Sequence, residues 1–403
     1  MKSLRTIRLT ALLIGILGFI AGCVEPELML RINPEETGPI RIGAIVPLSG
    51  DNRDYGTRML RGIRLAVDEL NAGRGINGRR IELLVYDNSS TREGAARMTR
   101  SAAAEGAVAL IAGYNTTEVG GIVPLAEPLR LPVMIPQATA NRYVGYSRFV
   151  FRCVYSDRQQ AEALAGYLWY WRKLLRLGIV VNMDPDDEYS RNIARDVAQC
   201  FTDLGGEVVR TIEIRGENFD HELQELMTHG PQAILLPVEG KLAAKMLKAL
   251  RDKGYGGIVC GPDTWDSEEF FQMLSDRSTV GDCVYIGMFG ADDSYPAFRD
   301  FNKRFREHYF HTPGSTETLS YDAVKLLAVG LGHAETIMDF EKNWESIKKY
   351  PAASGVMSTL PKGGIDSTIY IDSISPGNYV APHPHPQTIR SFTYSTLESY
   401  RND

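Results

Sequence analysis

From residue 40 onward, short apolar runs alternate with amphipathic stretches, and the alternation runs through twice. "PIRIGAIVPLSG" reads as a strand ending in a Gly turn. "TRMLRGIRLAVDELNAG" places Met59, Ile63, Val67 and Leu70 on one helical face and closes at Gly73. "RRIELLVYD", "TREGAARMTRSAAAEG" and "AVALIAG" continue as strand, helix and strand, and "TTEVGGIVPLAEPLR" and "LPVMIPQAT" repeat the unit. After "RFVFRCVYSD" the series restarts with helix "RQQAEALAGYLWYWRKL" and strand "LGIVVN", and runs through "AILLPV" to "GGIVCGPDTWDSEEF". Strands joined by helices form a parallel sheet covered on both faces. The fold class is therefore α/β, with two doubly wound parallel-sheet lobes. A chain of 403 residues is also long for one hydrophobic core.

The lobes are expected to be discontinuous. The segment "AFRDFNKRFREHYF…LSYDAVKLLAVGLGHAETI" follows the second series yet needs the first lobe to bury its apolar face. Lobe 1 is thus assigned residues 40–153 and 290–366, and lobe 2 residues 154–289 and 367–403. Crossovers are expected near Phe151–Tyr155, Met288–Gly290 and Ser367–Ile371.

The first residues differ in kind. "MKSLRTIRLT" is basic, "ALLIGILGFI" is too short to span a bilayer comfortably, and Ile20-Ala21-Gly22-Cys23 follows. Residues 1–22 read as a lipoprotein signal peptide, Cys23 as the lipidation site, and 23–39 as a tether. The signal carries Lys2, Arg5 and Arg8 and no acid, so its removal makes the formal charge of −6 more negative by three. An acidic exported protein is a poor partner for nucleic acid. Cys153, Cys200, Cys260 and Cys283 show no CxxC spacing, which argues against zinc or dithiol redox chemistry. They read as buried thiols, with a Cys260–Cys283 bridge as the alternative.

Gly73-Arg74-Gly75-Ile76-Asn77-Gly78 matches the dinucleotide fingerprint but ends a helix and opens a strand, the reverse of a nucleotide-binding turn. It reads as a helix stop. No GxSxG, no HExxH and no Cys beside a His supports a reaction, and no cofactor is expected.

Ligands of open α/β sheets bind outside the carboxyl ends of the strands. In the first lobe those ends offer Tyr55, then Tyr114, Asn115, Thr116 and Thr117, then Gln137, Ala138 and Thr139. In the second they offer Tyr189, Glu239, and Asp263 with Trp265. Taken singly, Thr117, Thr139 and Asp263 also fit helix caps, Tyr55 and Tyr189 packed loop aromatics, and Glu239 a solvated charge. Taken together, one lobe supplies hydroxyl and N–H donors and the other an acid and aromatics. A zwitterionic amino acid needs both.

The stretches "IGAIVPLSGDNRDYG", "RLAVDELNAGRGINGRRIELLVYD", "IPQATA", "FRCVYSDRQQ", "GPDTWD" and "YDA" together resemble the extracytoplasmic solute-binding proteins of ABC transporters, of the leucine/isoleucine/valine-binding type. The likeness runs from about Ile40 to about Asp372. It implies two lobes on a three-strand hinge, a ligand held between them, and permease subunits as partners. It places the ligand carboxylate on Thr117 (or Thr116), Gln137 and Thr139, a stacking ring at Tyr189, and the ammonium on Asp263. Glu239 and Asn115 stand where that type has an aromatic and an apolar residue, which implies a small polar or neutral amino acid, or a related amide, rather than leucine. A sensor or envelope-regulating lipoprotein of the same shape is the alternative output.

Overall fold

The computed structural model describes residues 28–32, 37–143, 145–184, 187–274, 280–290, 293–374 and 387–392. Cys23 and the signal-like stretch lie outside them.

The first series folds as β1 (Ile40–Val46), α1 (Arg53–Ala72), β2 (Ile81–Asp87), α2 (Arg92–Ala104), β3 (Ala109–Ile111), α3 (Thr116–Ala126), β4 (Val133–Ile135) and β5 (Val150–Arg152). Its five strands are parallel in the order β2-β1-β3-β4-β5. The second series gives α4 (Asp157–Gly166), β6 (Arg176–Asn182), α5 (Glu188–Asp203), β7 (Glu207–Ile214), α6 (Asp220–Thr228), β8 (Ala233–Leu235), α7 (Gly240–Asp252), β9 (Ile258–Gly261), α8 (Glu268–Met273) and β10 (Cys283–Gly287). The chain then adds α9 (Pro296–Tyr309), α10 (Ser315–Leu331), α11 (Ile337–Glu345) and a small antiparallel sheet of β11 (Tyr350–Ala352), β12 (Gly355–Thr359) and β13 (Ile365–Ser367). Finally β14 (Ile369–Ile374) joins the second sheet antiparallel to β10, and β15 (Gln387–Phe392) pairs antiparallel with β14 at its edge.

The second sheet runs β15-β14-β10-β9-β8-β6-β7. Its parallel part, read from β7 to β10, repeats the order of the first sheet. Each sheet therefore reverses direction beside its first strand, between β1 and β3 and between β6 and β8. The loops at such switch points diverge and leave a crevice at the carboxyl ends.

The chain leaves the first sheet after Arg152, and α10 returns to it by packing on α1. Gly62 permits the contact, because a Cβ there would lie 2.1 Å from the Glu317 carbonyl oxygen. The glycine-rich stretch after α1 is a turn, as its direction in the sequence implies. Gly73 caps α1, Gly75 and Gly78 adopt positive φ, and Ile76 bridges to Arg79.

Part of the expected tether is packed rather than free. Leu30 and Ile32 are buried, the Leu30 N–H donates to the Glu335 carbonyl at 2.9 Å, and the Arg31 guanidinium donates to the Ala103 carbonyl at 2.8 Å. Cys153, Cys200, Cys260 and Cys283 are buried, and none is in a disulfide among the described residues. Cys260 pairs with Val284 and Cys283 with Val259 across β9 and β10. Side chains alternate along a strand, so the two thiols point to opposite faces of the sheet and into different cores. That excludes the Cys260–Cys283 bridge.

Candidate functional site

The carboxyl ends of the two sheets face a shared cavity of about 800 Å³. Ten of the eleven residues expected at the ligand line it, from Tyr55 through Asn115, Thr116, Thr117, Gln137, Ala138 and Thr139 to Tyr189, Glu239 and Asp263. Trp265 does not. It is fully buried in the second core against Phe270, and its indole N–H donates to the Leu236 carbonyl at 3.2 Å. Gly261 explains the difference, since a Cβ there would lie 2.1 Å from the Trp265 ring. The ring folds back over the end of β9 instead of reaching the ligand.

Asp263 begins a single 3-10 turn and caps nothing. Ser267 caps α8, accepting from the Phe270 N–H at 3.3 Å. The Asp263 carboxylate instead accepts the Tyr189 hydroxyl, and its N–H donates to Gln160 Oε1 at 3.2 Å. Burial, reinforced by nearby Asp157 and Asp266, pushes the Asp263 carboxyl up to about 7 against the pull of its hydrogen bonds. A buried acid of this kind is stabilised in its charged form by an arriving cation.

The lobe-1 wall is built of donors. The Asn115 side chain caps α3, accepting from the Glu118 N–H at 3.0 Å, so Thr116 and Thr117 open the helix with amides that have no intrahelical acceptor. Buried Glu118 fixes this loop, accepting from Asn52 and Asn88 at 2.8 Å each and from the Tyr114 N–H at 2.9 Å. After β4, buried Arg152 donates to the carbonyls of Thr139 and Ala140 at 3.2 and 2.8 Å. The Thr139 hydroxyl bonds to Asp157, and the Gln160 amide donates to Asp157 at 3.3 Å. Thr139 and Asp263 are thus tied, through Asp157 and Gln160 on α4, into one network that spans both lobes.

Sequence reasoning missed several lining residues. Ser315 and Thr316 come from the start of α10, a helix that packing on α1 brings to the cavity. Thr316 accepts from the Gln137 amide at 3.0 Å, and Ser315 bonds to Asp266, whose carboxyl burial raises to about 6. The signal available was "PGSTET", a helix start in the part assigned to lobe 1. Asp187, which caps α5 through the Ser190 N–H at 2.9 Å, also lines the cavity.

Side chains meet across the gap. Tyr55 stacks on Tyr114 with centroids 4.1 Å apart, and its hydroxyl donates to Glu269 at 2.9 Å. Arg142 pairs with Glu188, and Asn141 donates to Asp196 at 2.7 Å.

The sequence pattern that defines periplasmic binding proteins matches residues 39–369, nearly the whole of both lobes. The chain belongs to the periplasmic binding protein family. Within that family it is 22% identical over 295 residues to Leu/Ile/Val-binding protein homolog 1 of Brucella abortus, covering 72% of this chain and 77% of that protein. It is 20% identical over 340 residues to a leucine-, isoleucine-, valine-, threonine- and alanine-binding protein of Pseudomonas aeruginosa, covering 82% and 89%. Among solved structures it resembles a branched-chain amino acid transporter substrate-binding protein of Streptococcus pneumoniae, in complex with isoleucine. That likeness has a TM-score of 0.75 at 22% identity and covers 88% of this chain and 99% of the other. Family membership agrees with the fold class read from the strand–helix alternation.

Proposed function

We propose that this protein is the solute-binding component of an ABC importer and that it captures an α-amino acid between its lobes. The ligand carboxylate rests on the amides and hydroxyls that open α3 and on the Gln137–Thr139 loop, and the ammonium meets Asp263. The observation that carries this reading is the Tyr189–Asp263 pair facing the Thr139 loop inside one cavity. The relatives described above, two named for binding amino acids and one in complex with isoleucine, support it. Binding draws the lobes together by rotation on the three crossovers, and the joined form is what a permease recognises. No covalent step is involved, and mass spectrometry of incubated amides and amino acids is expected to show no product.

The amino-terminal stretch supports export with a lipid anchor at Cys23, followed by a short lead into the packed segment at Leu30. Among the described residues no helix is long and apolar enough to cross a membrane.

Thermal-shift screening against the common amino acids tests the function. A ligand that binds only the folded state adds about 2.7 kcal/mol at a hundredfold excess over Kd. Failure of every amino acid to raise the melting temperature would overturn the reading.

A further inference from the structure

Glu239 stands just before α7, after the switch-point strand β8, and its side chain makes no capping hydrogen bond. Among the described residues its carboxylate has no hydrogen-bond or ion-pair partner. Lost hydration in the cleft raises its carboxyl, repulsion from Asp187 and Glu269 raises it further, and Lys241 attracts it without pairing. Other carboxylates near the cavity are occupied: Glu188 by Arg142, Glu269 by Tyr55, Asp187 by the start of α5.

The cavity as a whole is lined by seven carboxylates and two cations, Arg142 and Lys241. A zwitterion with an uncharged side chain adds no net charge, and its ammonium is already committed to Asp263. It would leave Glu239 unpaired inside a joined cleft. The neighbouring surface also suits a cation. Tyr55 and Tyr114 form a stacked aromatic pair whose hydroxyls feel the charges of Glu239 and Glu269. Gln137 Oε1, also on the lining, is a buried acceptor without a donor among the described residues.

We infer that the ligand carries a second cation: an α-amino acid with an ammonium or guanidinium side chain, its charge on Glu239 and its stem along the Tyr55–Tyr114 pair. Aromatic faces attract such groups, and long cationic side chains lay their methylenes on apolar surface. The inference rests on the amino-acid reading above and replaces the expectation of a neutral side chain.

Calorimetry on the purified full chain tests it with matched pairs, L-arginine against L-citrulline and L-lysine against L-norleucine, with L-leucine alongside. The charged member of at least one pair is expected to bind tenfold or more tighter than its neutral counterpart and than leucine. Glu239→Gln is expected to bring that ratio close to one without lowering the melting temperature, since the Glu239 side chain makes no capping hydrogen bond and its charge is unpaired among the described residues. A neutral member or leucine binding as tightly as both cations overturns the inference and leaves the amino-acid reading standing. A ratio that survives in Glu239→Gln overturns the role given to Glu239. Binding of none of the five overturns the inference, and the screen of all common amino acids then decides the broader reading separately.

Discussion

The hydroxyl of Tyr189, in the first turn of α5, donates to the carboxylate of Asp263 at the end of β9. The bond joins the start of α5 to the turn after β9 and orients the Asp263 carboxylate in the cavity wall. Removing one partner of a buried, hydrogen-bonded charge pair costs about 2–5 kcal/mol. Asp263→Asn is therefore expected to weaken amino-acid binding by roughly one and a half to three and a half decades. Because Asp263 caps no helix, its loss should not destabilise the fold. Kd and melting temperature measured on the same variant check both statements. Unchanged affinity with reduced stability would remove Asp263 from the site.

Tyr55 reaches across the gap to Glu269 while stacking on Tyr114. Tyr55→Phe keeps the stack and deletes one interlobe hydrogen bond, whose net worth is about 0.5–1.5 kcal/mol. Ligand affinity is expected to fall roughly twofold to tenfold, with the loss appearing in the dissociation rate. Stopped-flow dissociation against a competing ligand measures it, and an unchanged rate would show that the bond is absent in the bound form.

Gly62→Ala tests the join between α1 and α10. The added Cβ would meet the Glu317 carbonyl, and such overpacking costs about 1–3 kcal/mol. The same shift moves Ser315 and Thr316, so affinity should fall together with the melting temperature. A stable variant with normal affinity would mean that the helices separate without disturbing the cavity.

How much of this was legible beforehand depended on the range of the interactions involved. The strands and helices were readable because their signal is a local period, and Asp263 because the carboxyl ends of strands in open α/β sheets collect ligands. Trp265 sits two residues away and was misplaced. Its position depends on the missing Cβ at Gly261 and on Phe270, neither of which marks the tryptophan as inward-facing in the sequence. Ser315 and Thr316 were missed for a similar reason: only the tertiary approach of α10 to α1 brings them to the cavity. Arg152 read as part of a crossover strand. Its role in holding the Thr139 and Ala140 carbonyls needs the chain to fold back on itself first.

Replacing Cys23 by Ser tests the lipid anchor. The wild type is expected in the membrane fraction with the mass of a lipidated chain beginning at Cys23, and the variant in the soluble fraction or retaining its signal. A membrane-bound variant of wild-type mass would overturn the lipidation site.

The last expectation concerns protons. In the ligand-free protein burial raises the Asp263 carboxyl to about 7, far above the usual value near 3.8. An acid whose folded value is raised contributes stability that is fully present below about pH 4 and is lost as the pH climbs through about 7. The advantage of Asp263→Asn over the wild type in melting temperature should therefore grow between pH 4 and pH 7, since the variant has no such group to lose. Binding reverses the sign. The ligand ammonium favours the ionised carboxylate, so binding at pH 6 should release about one proton, and affinity should weaken by up to about tenfold for each pH unit below 7. Calorimetry at pH 6 in two buffers of different ionisation enthalpy counts the protons directly. Release of none would mean that Asp263 is already ionised in the open cleft, or that it does not face the ammonium. The Asp263→Asn affinity distinguishes the two, falling by decades in the first case and not at all in the second.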